Sequence, residues 1–201
     1  DELAKLGSEK KESQVYESNG TVLQAAVQED HCDFLYCASV KDDYKASVIA
    51  IHKAINDADL VLISGGISVG DYDFIGRALD ELGVLKHFHG VRQKPGKPLF
   101  FGYFNQTAIF ALPGNPASTL TCYYVYVRRW LQRYQGIKPV LKKMILAAEI
   151  HNRFGRALFV KAKIREGCVV PIDEFNSATL LSFSKSELLI FMGAEVKVLS
   201  E

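Results

Sequence analysis

The chain has 201 residues, 48% of them hydrophobic, which is enough for one or two domains with sizeable cores and no covalent staples. Lys plus Arg (24) and Asp plus Glu (23) nearly cancel, so no global field draws the protein to nucleic acid or to a membrane surface, and any anion site must be local. Cys32, Cys37, Cys122 and Cys168 lack zinc spacing and read as buried free thiols; with no leader and no apolar run of about 18 residues, the expected location is the cytoplasm.

Asp1-Glu2-Leu3 opens without a methionine, which points to a fragment or a processed chain. Lys5 to Ser13 is polar and reads as a loop. After the short apolar pair Val15-Tyr16, Ser18 or Asn19 can cap a helix to about Glu29, with Val22, Leu23, Ala26 and Val27 on one face. Phe34 to Ala38 reads as a buried strand. Lys41-Asp42-Asp43 then leads into an amphipathic helix marked by Tyr44, Val48, Ile51 and Ile55, with Asp42 or Asp43 near its start. Leu60 to Ile63 is a continuous apolar run that fits a strand buried on both faces, and Ser64-Gly65-Gly66 frees the backbone to turn. A loop rich in glycine and hydroxyl groups comes next, through Ser68 and Gly70. Asp71 or Asp73 is placed to cap a helix over Phe74, Ile75, Ala78, Leu79 and Leu82, which Gly83 ends. Alternating strands and helices predict an α/β fold: a mostly parallel sheet with helices on both faces.

Leu85 to Arg92 alternates as a strand, and Lys97 to Phe104 and Thr107 to Leu112 read as two strands joined at Asn105-Gln106. From Pro116 a long helix is predicted to about Tyr134, with Leu120, Tyr123, Val127, Trp130 and Leu131 inward; proline suits a first helical position because its missing N–H would be unpaired there. Composition shifts at Gly136 to Pro139. Beyond it, Val140 to Ile150, Ala157 to Ile164, Cys168 to Ile172, Leu188 to Phe191 and Val196 to Leu199 are short and β-rich. Residues 1–135 are therefore read as an α/β domain, and 136–201 as a small β domain, a sandwich or partial barrel.

Three loops carry the chemistry. Gly65, Gly66, Ser68 and Gly70 follow a strand and precede a helix, where amide N–H groups and a helix N-terminus can hold an anion; a mere change of direction is the plainer reading. Lys94-Pro95-Gly96-Lys97-Pro98 holds two ammonium groups on a restricted backbone, which suits phosphate or another oxyanion. Pro113-Gly114-Asn115-Pro116 offers backbone donors before the long helix. Asp42, Asp43 and Asp73 lie at helix starts, where they can cap or hold Mg²⁺ beside a phosphate. His31, His52, His87, His89 and His151 show no metal spacing and receive no role.

The motifs SGGISVGDYD, KPGKP and LPGNPAS, in this order, resemble the molybdopterin molybdenumtransferase family, which includes the catalytic half of gephyrin. Asp1-Glu2-Leu3 and Tyr16-Glu17-Ser18-Asn19 resemble two further family signatures. The resemblance implies that residues 1 to about 135 form a molybdopterin-binding domain, and that molybdate is inserted into adenylylated molybdopterin with Mg²⁺-assisted hydrolysis of the adenylate and release of AMP. Carried over by position, Glu2, Asp42, Asp73 and Lys94 match catalytic positions, with Asp42 and Asp73 as metal ligands. Gly65, Gly66, Ser68, Gly70, Gly96, Lys97, Pro113, Gly114, Asn115 and Pro116 match the binding loops. The chain departs from the pattern at Gly90, where the family often has a Lys or Arg; Arg92 is the expected substitute. Family enzymes carry two further N-terminal domains that complete the site across a homodimer, so a fragment would turn over poorly. The molybdopterin adenylyltransferase is a further expected partner. Two other functions compete: an adenylyltransferase, whose loop reads differently, and a non-enzymatic pterin-binding or scaffolding module.

Overall fold

The computed structural model describes residues 3, 4, 7, 9, 11, 12, 14–41, 43–67, 73–138, 140–173 and 180–200. The chain forms two compact units, residues 1–90 with 98–114, and residues 91–97 with 115–201.

In the first unit, β1 (Leu3–Ala4) pairs in parallel with β2 (Val15–Tyr16), and α1 (Asn19–Glu29) and α2 (Tyr44–Asp57) come after them in the chain. The main sheet contains β3 (Leu60–Ser64), β4 (Leu85–His89), β6 (Phe100–Phe104) and β7 (Thr107–Leu112), in the order β3-β7-β6-β4. β3 and β7 are parallel, with Ser64 opposite Leu112; β6 and β4 are antiparallel additions. The fold class is thus α/β, with the parallel pair at one side of a mixed sheet. Ile51 and Ile55 of α2 and Ile75, Ala78 and Leu79 of α3 (Phe74–Glu81) pack with Val61, Phe100 and Ile109 into one core.

Local chemistry sets the helix starts. Asp43 accepts from the Ala46 N–H at 2.8 Å and Asp73 from the Gly76 N–H at 2.8 Å, so each carboxylate satisfies a donor that its helix cannot. At α1 the expected cap is absent: Ser18 occupies the cap position without a side-chain bond, and Glu17 Oε1 accepts from the Gly20 N–H at 2.8 Å instead. The strand expected over Phe34 to Ala38 does not form. Leu35 and Tyr36 are 59% and 41% exposed; Tyr36 lies outside α2, its hydroxyl 3.4 Å from Asp57 Oδ2 and its ring under Lys53. A five-residue apolar run is too short to declare burial when it can lie along a helix surface.

In the second unit, β5 (Gln93–Lys94) lies parallel to the start of β9 (Ala157–Arg165). β10 (Cys168–Asp173) and β11 (Leu188–Met192) flank β9 on either side, antiparallel to it. β8 (Ile150–His151) pairs with β12 (Val198–Leu199), and α6 (Leu181–Ser184) precedes β11. Leu158, Val160, Ala162, Val169 and Met192 form the core of this sheet. The predicted long helix is present as α4 (Pro116–Cys122), a π-helical turn over Tyr123–Val127 and α5 (Arg128–Tyr134). Leu120, Tyr123, Val127 and Leu131 are buried as expected, while Trp130 is half-buried and stacks on Tyr134. Val140 to Ile145 forms no strand, and Val140 and Leu141 are 80% and 72% exposed. Among the described residues no helix is long and apolar enough to cross a membrane.

Leu79 is fully buried in the first core. Leu79→Ala is expected to cost about 3 kcal/mol, because transfer and cavity terms add. Urea unfolding followed by circular dichroism checks it; a loss under about 1 kcal/mol would mean that the site collapses onto the truncation.

Candidate functional site

Parallel strands end on the same edge of a sheet, so pairing β3 with β7 places the loops that leave them side by side. The Gly65 N–H donates to Leu112 O at 3.2 Å, continuing the ladder one step beyond the strands. Gly65 and Gly66 then turn with φ of 84° and 65°, the left-handed region where a side chain is strained. Space also demands glycine at 66, where a Cβ would stand 2.9 Å from Ile75 Cγ1; a Cβ on Gly114 would stand 3.4 Å from the Gly65 Cα, in ordinary contact. The glycine and proline loops thus meet backbone to backbone.

Asn19, the first residue of α1, joins them. Its Nδ2 donates to Ser64 Oγ at 2.7 Å and to Gly114 O at 2.8 Å, and Ser64 Oγ lies 3.5 Å from Pro113 O. Sequence reasoning placed Asn19 only as a cap or as part of a motif. The signal was there in Tyr16-Glu17-Ser18-Asn19, but no periodicity says that an amide at a helix start reaches two loops.

Asp73 ends the glycine loop. One carboxylate oxygen is engaged in the cap and the other lies 3.8 Å from His89 Nε2. Gly76 makes room for it: a Cβ there would fall 2.8 Å from Asp73 Cγ. His89 Nε2 is buried and has no hydrogen-bond partner among the described residues, so this histidine, given no role from sequence, faces the acid. A carboxylate with one oxygen outside the cap is a hard donor of the type Mg²⁺ accepts together with substrate phosphates and waters, so the residue fits that ion. Among the described residues no three His, Cys, Asp or Glu side chains cluster as a cation cage. Glu2, Asp42, Ser68 and Gly70 lie outside the described residues.

The second unit carries the lysine loop. Lys94 closes β5, its ammonium 3.6 Å from the Phe154 ring centroid; Lys94-Pro95 is cis, and Gly96 has a φ of 88°. Beneath the loop lies Gln93, 2% exposed, whose Nε2 donates to Pro95 O at 2.9 Å and whose Oε1 accepts from the Tyr126 hydroxyl. Sequence reasoning missed both partners. Arg92 sits with its guanidinium 3.8 Å from Glu195 Oε1, in an open cleft that Arg153 and Lys197 also line. Asn115 caps α4, accepting from the Ser118 N–H at 3.1 Å, and Pro116 is at the first helical turn.

The cysteines are free, but only Cys122 is buried; Cys32 and Cys168 are half-buried and Cys37 is exposed, which corrects the expectation of four buried thiols. Burial pushes the Cys122 thiol up to about 12, so it stays protonated at any physiological pH. Burial also raises the Tyr126 phenol, with Cys122 adding to the shift and Arg129 opposing it.

Residues 1–133 match the family model described as a probable molybdopterin binding domain. A molybdopterin molybdenumtransferase of Nostoc sp. is 34% identical over 185 residues, covering 89% of this chain and 42% of that protein. One from Haemophilus influenzae is 33% identical over 138 residues, covering 69% and 34%. The crystal structure of a molybdopterin biosynthesis moea protein from Pyrococcus horikosii superposes with a TM-score of 0.84 at 30% identity, covering 100% of this chain and 49% of that one. The chain therefore spans less than half the length of these relatives.

Two outcomes test this geometry. Asn19→Ala is expected to lower stability by about 1 kcal/mol, since the half-buried Ser64 hydroxyl loses this donor while the exposed Gly114 carbonyl turns to water, and chemical denaturation measures it. In native protein at pH 8, a thiol reagent such as DTNB is expected to label Cys37 within minutes and to leave Cys122 unlabelled until denaturant is added; prompt native labelling of Cys122 would contradict its burial.

Proposed function

The chain belongs to the molybdopterin molybdenumtransferase family, and from that premise we propose that it acts in molybdenum cofactor biosynthesis by inserting molybdate into adenylylated molybdopterin. In this reading water adds across the phosphoanhydride of the adenylate, one phosphorus–oxygen bond breaks, and AMP leaves. The observation that carries the reading is the junction of Ser64-Gly65-Gly66 with Pro113-Gly114 at the carboxyl ends of β3 and β7, held by Asn19.

That junction supplies close-approaching backbone where a phosphate or pterin can meet amide groups without side chains in the way. Gly65, Gly66, Ser68, Gly70, Pro113, Gly114, Asn115 and Pro116 are assigned to substrate binding. Asp73, held by its cap and facing His89, orients water and phosphate oxygens, and Glu2 and Asp42 are assigned beside it on the family match. Asp42 and Asp73 would hold Mg²⁺, which when bound supplies charge neutralisation at the phosphates. Lys94 and Lys97, with Gly96 between them, provide cationic donors for molybdate oxygens.

The domain division is proposed at 135/136 from the end of the family match at 133 and the composition shift at Gly136, whereas the compact units of the fold part at 114/115 with residues 91–97 joining the second. A homodimer in the cytoplasm is the proposed state. Exposed Val140 and Leu141, with Met144 and Ile145 at 41% and 61%, give a second copy an apolar segment to cover. The molybdopterin adenylyltransferase is the proposed source of the adenylylated substrate.

AMP release from adenylylated molybdopterin, measured with molybdate and Mg²⁺ present, tests the assignment. Asp73→Asn is expected to slow it by about 100-fold or more, the scale of losing one preorganised charged group. An unchanged rate in Asp73→Asn would remove this acid from the mechanism.

A further inference from the structure

An amide side chain at the centre of a strand-to-loop corner is expensive to bury unless every polar atom finds a partner. Gln93 does. Its Nε2 lies 2.9 Å from Pro95 O, 3.4 Å from Gly96 O and 3.7 Å from Cys122 Sγ, and its Oε1 accepts from the Tyr126 hydroxyl. The pairing of β5 with β9 uses only the backbone of Gln93, so an apolar side chain would serve the strand equally well. The amide serves the loop instead.

The opposite wall is built for the same purpose. Tyr126 reaches Gln93 from the π-helical turn Tyr123–Val127, a distortion that widens the helix, shifts the side chains after it and is frequent at functional sites. Gly96 packs so tightly onto this wall that a Cβ would stand 3.1 Å from Gln93 Nε2 and closer still to Cys122 Sγ. The inner side of Pro95-Gly96 is therefore held by Gln93 and Cys122, with Tyr126 bracing Gln93 from behind, while Lys94 and Lys97 bracket the held residues.

We propose that Gln93, braced by Tyr126, is a positioning residue that holds the Lys94-Pro95-Gly96-Lys97 loop in the one conformation that binds an oxyanion. The inference rests on the reading of this loop as the molybdate-binding element. Gln93 does not touch the ligand; it acts through the placement of the Lys94 ammonium, by removing loop freedom that binding would otherwise have to remove.

The test combines molybdate calorimetry with hydrogen exchange of the ligand-free protein, on the parent, Gln93→Met, Tyr126→Phe, Lys94→Gln and the Gln93→Met/Lys94→Gln double variant. Gln93→Met is expected to raise the molybdate Kd about tenfold and Tyr126→Phe about threefold, the range for stranding buried hydrogen-bond partners. Added to Lys94→Gln, the Gln93→Met change is expected to weaken binding by less than about twofold, because the positioned ammonium is already gone. Exchange over residues 93–98 should quicken in Gln93→Met and Tyr126→Phe while β9 stays protected. Equal weakening with and without Lys94, or parent-like binding and exchange in both brace variants, would overturn the proposal. If the parent binds no molybdate, the function reading fails, and exchange alone decides the brace: faster exchange at 93–98 upholds it and unchanged exchange rejects it.

Discussion

The parallel register of β3 with β7 is the constraint on which the first unit's site depends. Ser64 opposite Leu112 means that two chain segments distant in sequence leave the sheet at the same point and in the same direction. Turn geometry and crowding then decide which residues can stand just beyond β3. The turn requires positive φ at Gly65 and Gly66, and Ile75 leaves no room for a Cβ at 66, while the Gly114 backbone passes the Gly65 backbone in ordinary contact; Asn19 bonds both loops. Ser64 is half-buried and Gly114 exposed, so the Asn19 bonds add an ordinary hydrogen-bond contribution while tying the two loops to the start of α1.

The second unit solves a different problem with the same means. In the loop that carries two lysines, the backbone carbonyls of Pro95 and Gly96 are held from within. Gln93, Tyr126 and Cys122 provide that hold, and the π-helical turn is the price in helix regularity. Asp73 combines two tasks on one carboxylate: one oxygen stabilises a helix start and the other is directed toward His89. Such sharing explains why helix capping and ligand binding could not be told apart from residue types alone.

Much of the fold was legible because it depends on period and local chemistry. Helical spacing located α2 and α3, Asp73 was one of the two caps offered for α3, and the β-rich tail beyond Gly136 resolved into β9, β10 and β11. Phe34 to Ala38 misled because apolarity over five residues does not distinguish a core strand from a segment lying on a helix. The residues proposed for binding and catalysis, Asp73, Lys94, Gly96 and Gly114, could be named from motifs. Their supports could not. Asn19, His89, Gln93 and Tyr126 act at long sequence separation or through a π turn, and neither leaves a periodic trace in one sequence.

The central claim is that adenylylated molybdopterin binds at the glycine and proline loops. A hydrogen-exchange footprint of the chain with saturating adenylylated molybdopterin and Mg²⁺ addresses it most directly. The account predicts slowed exchange at the amides of residues 64–66, 114 and 115, with the β9 and β10 core unchanged. Protection confined to other segments, or none at saturating ligand, would contradict it.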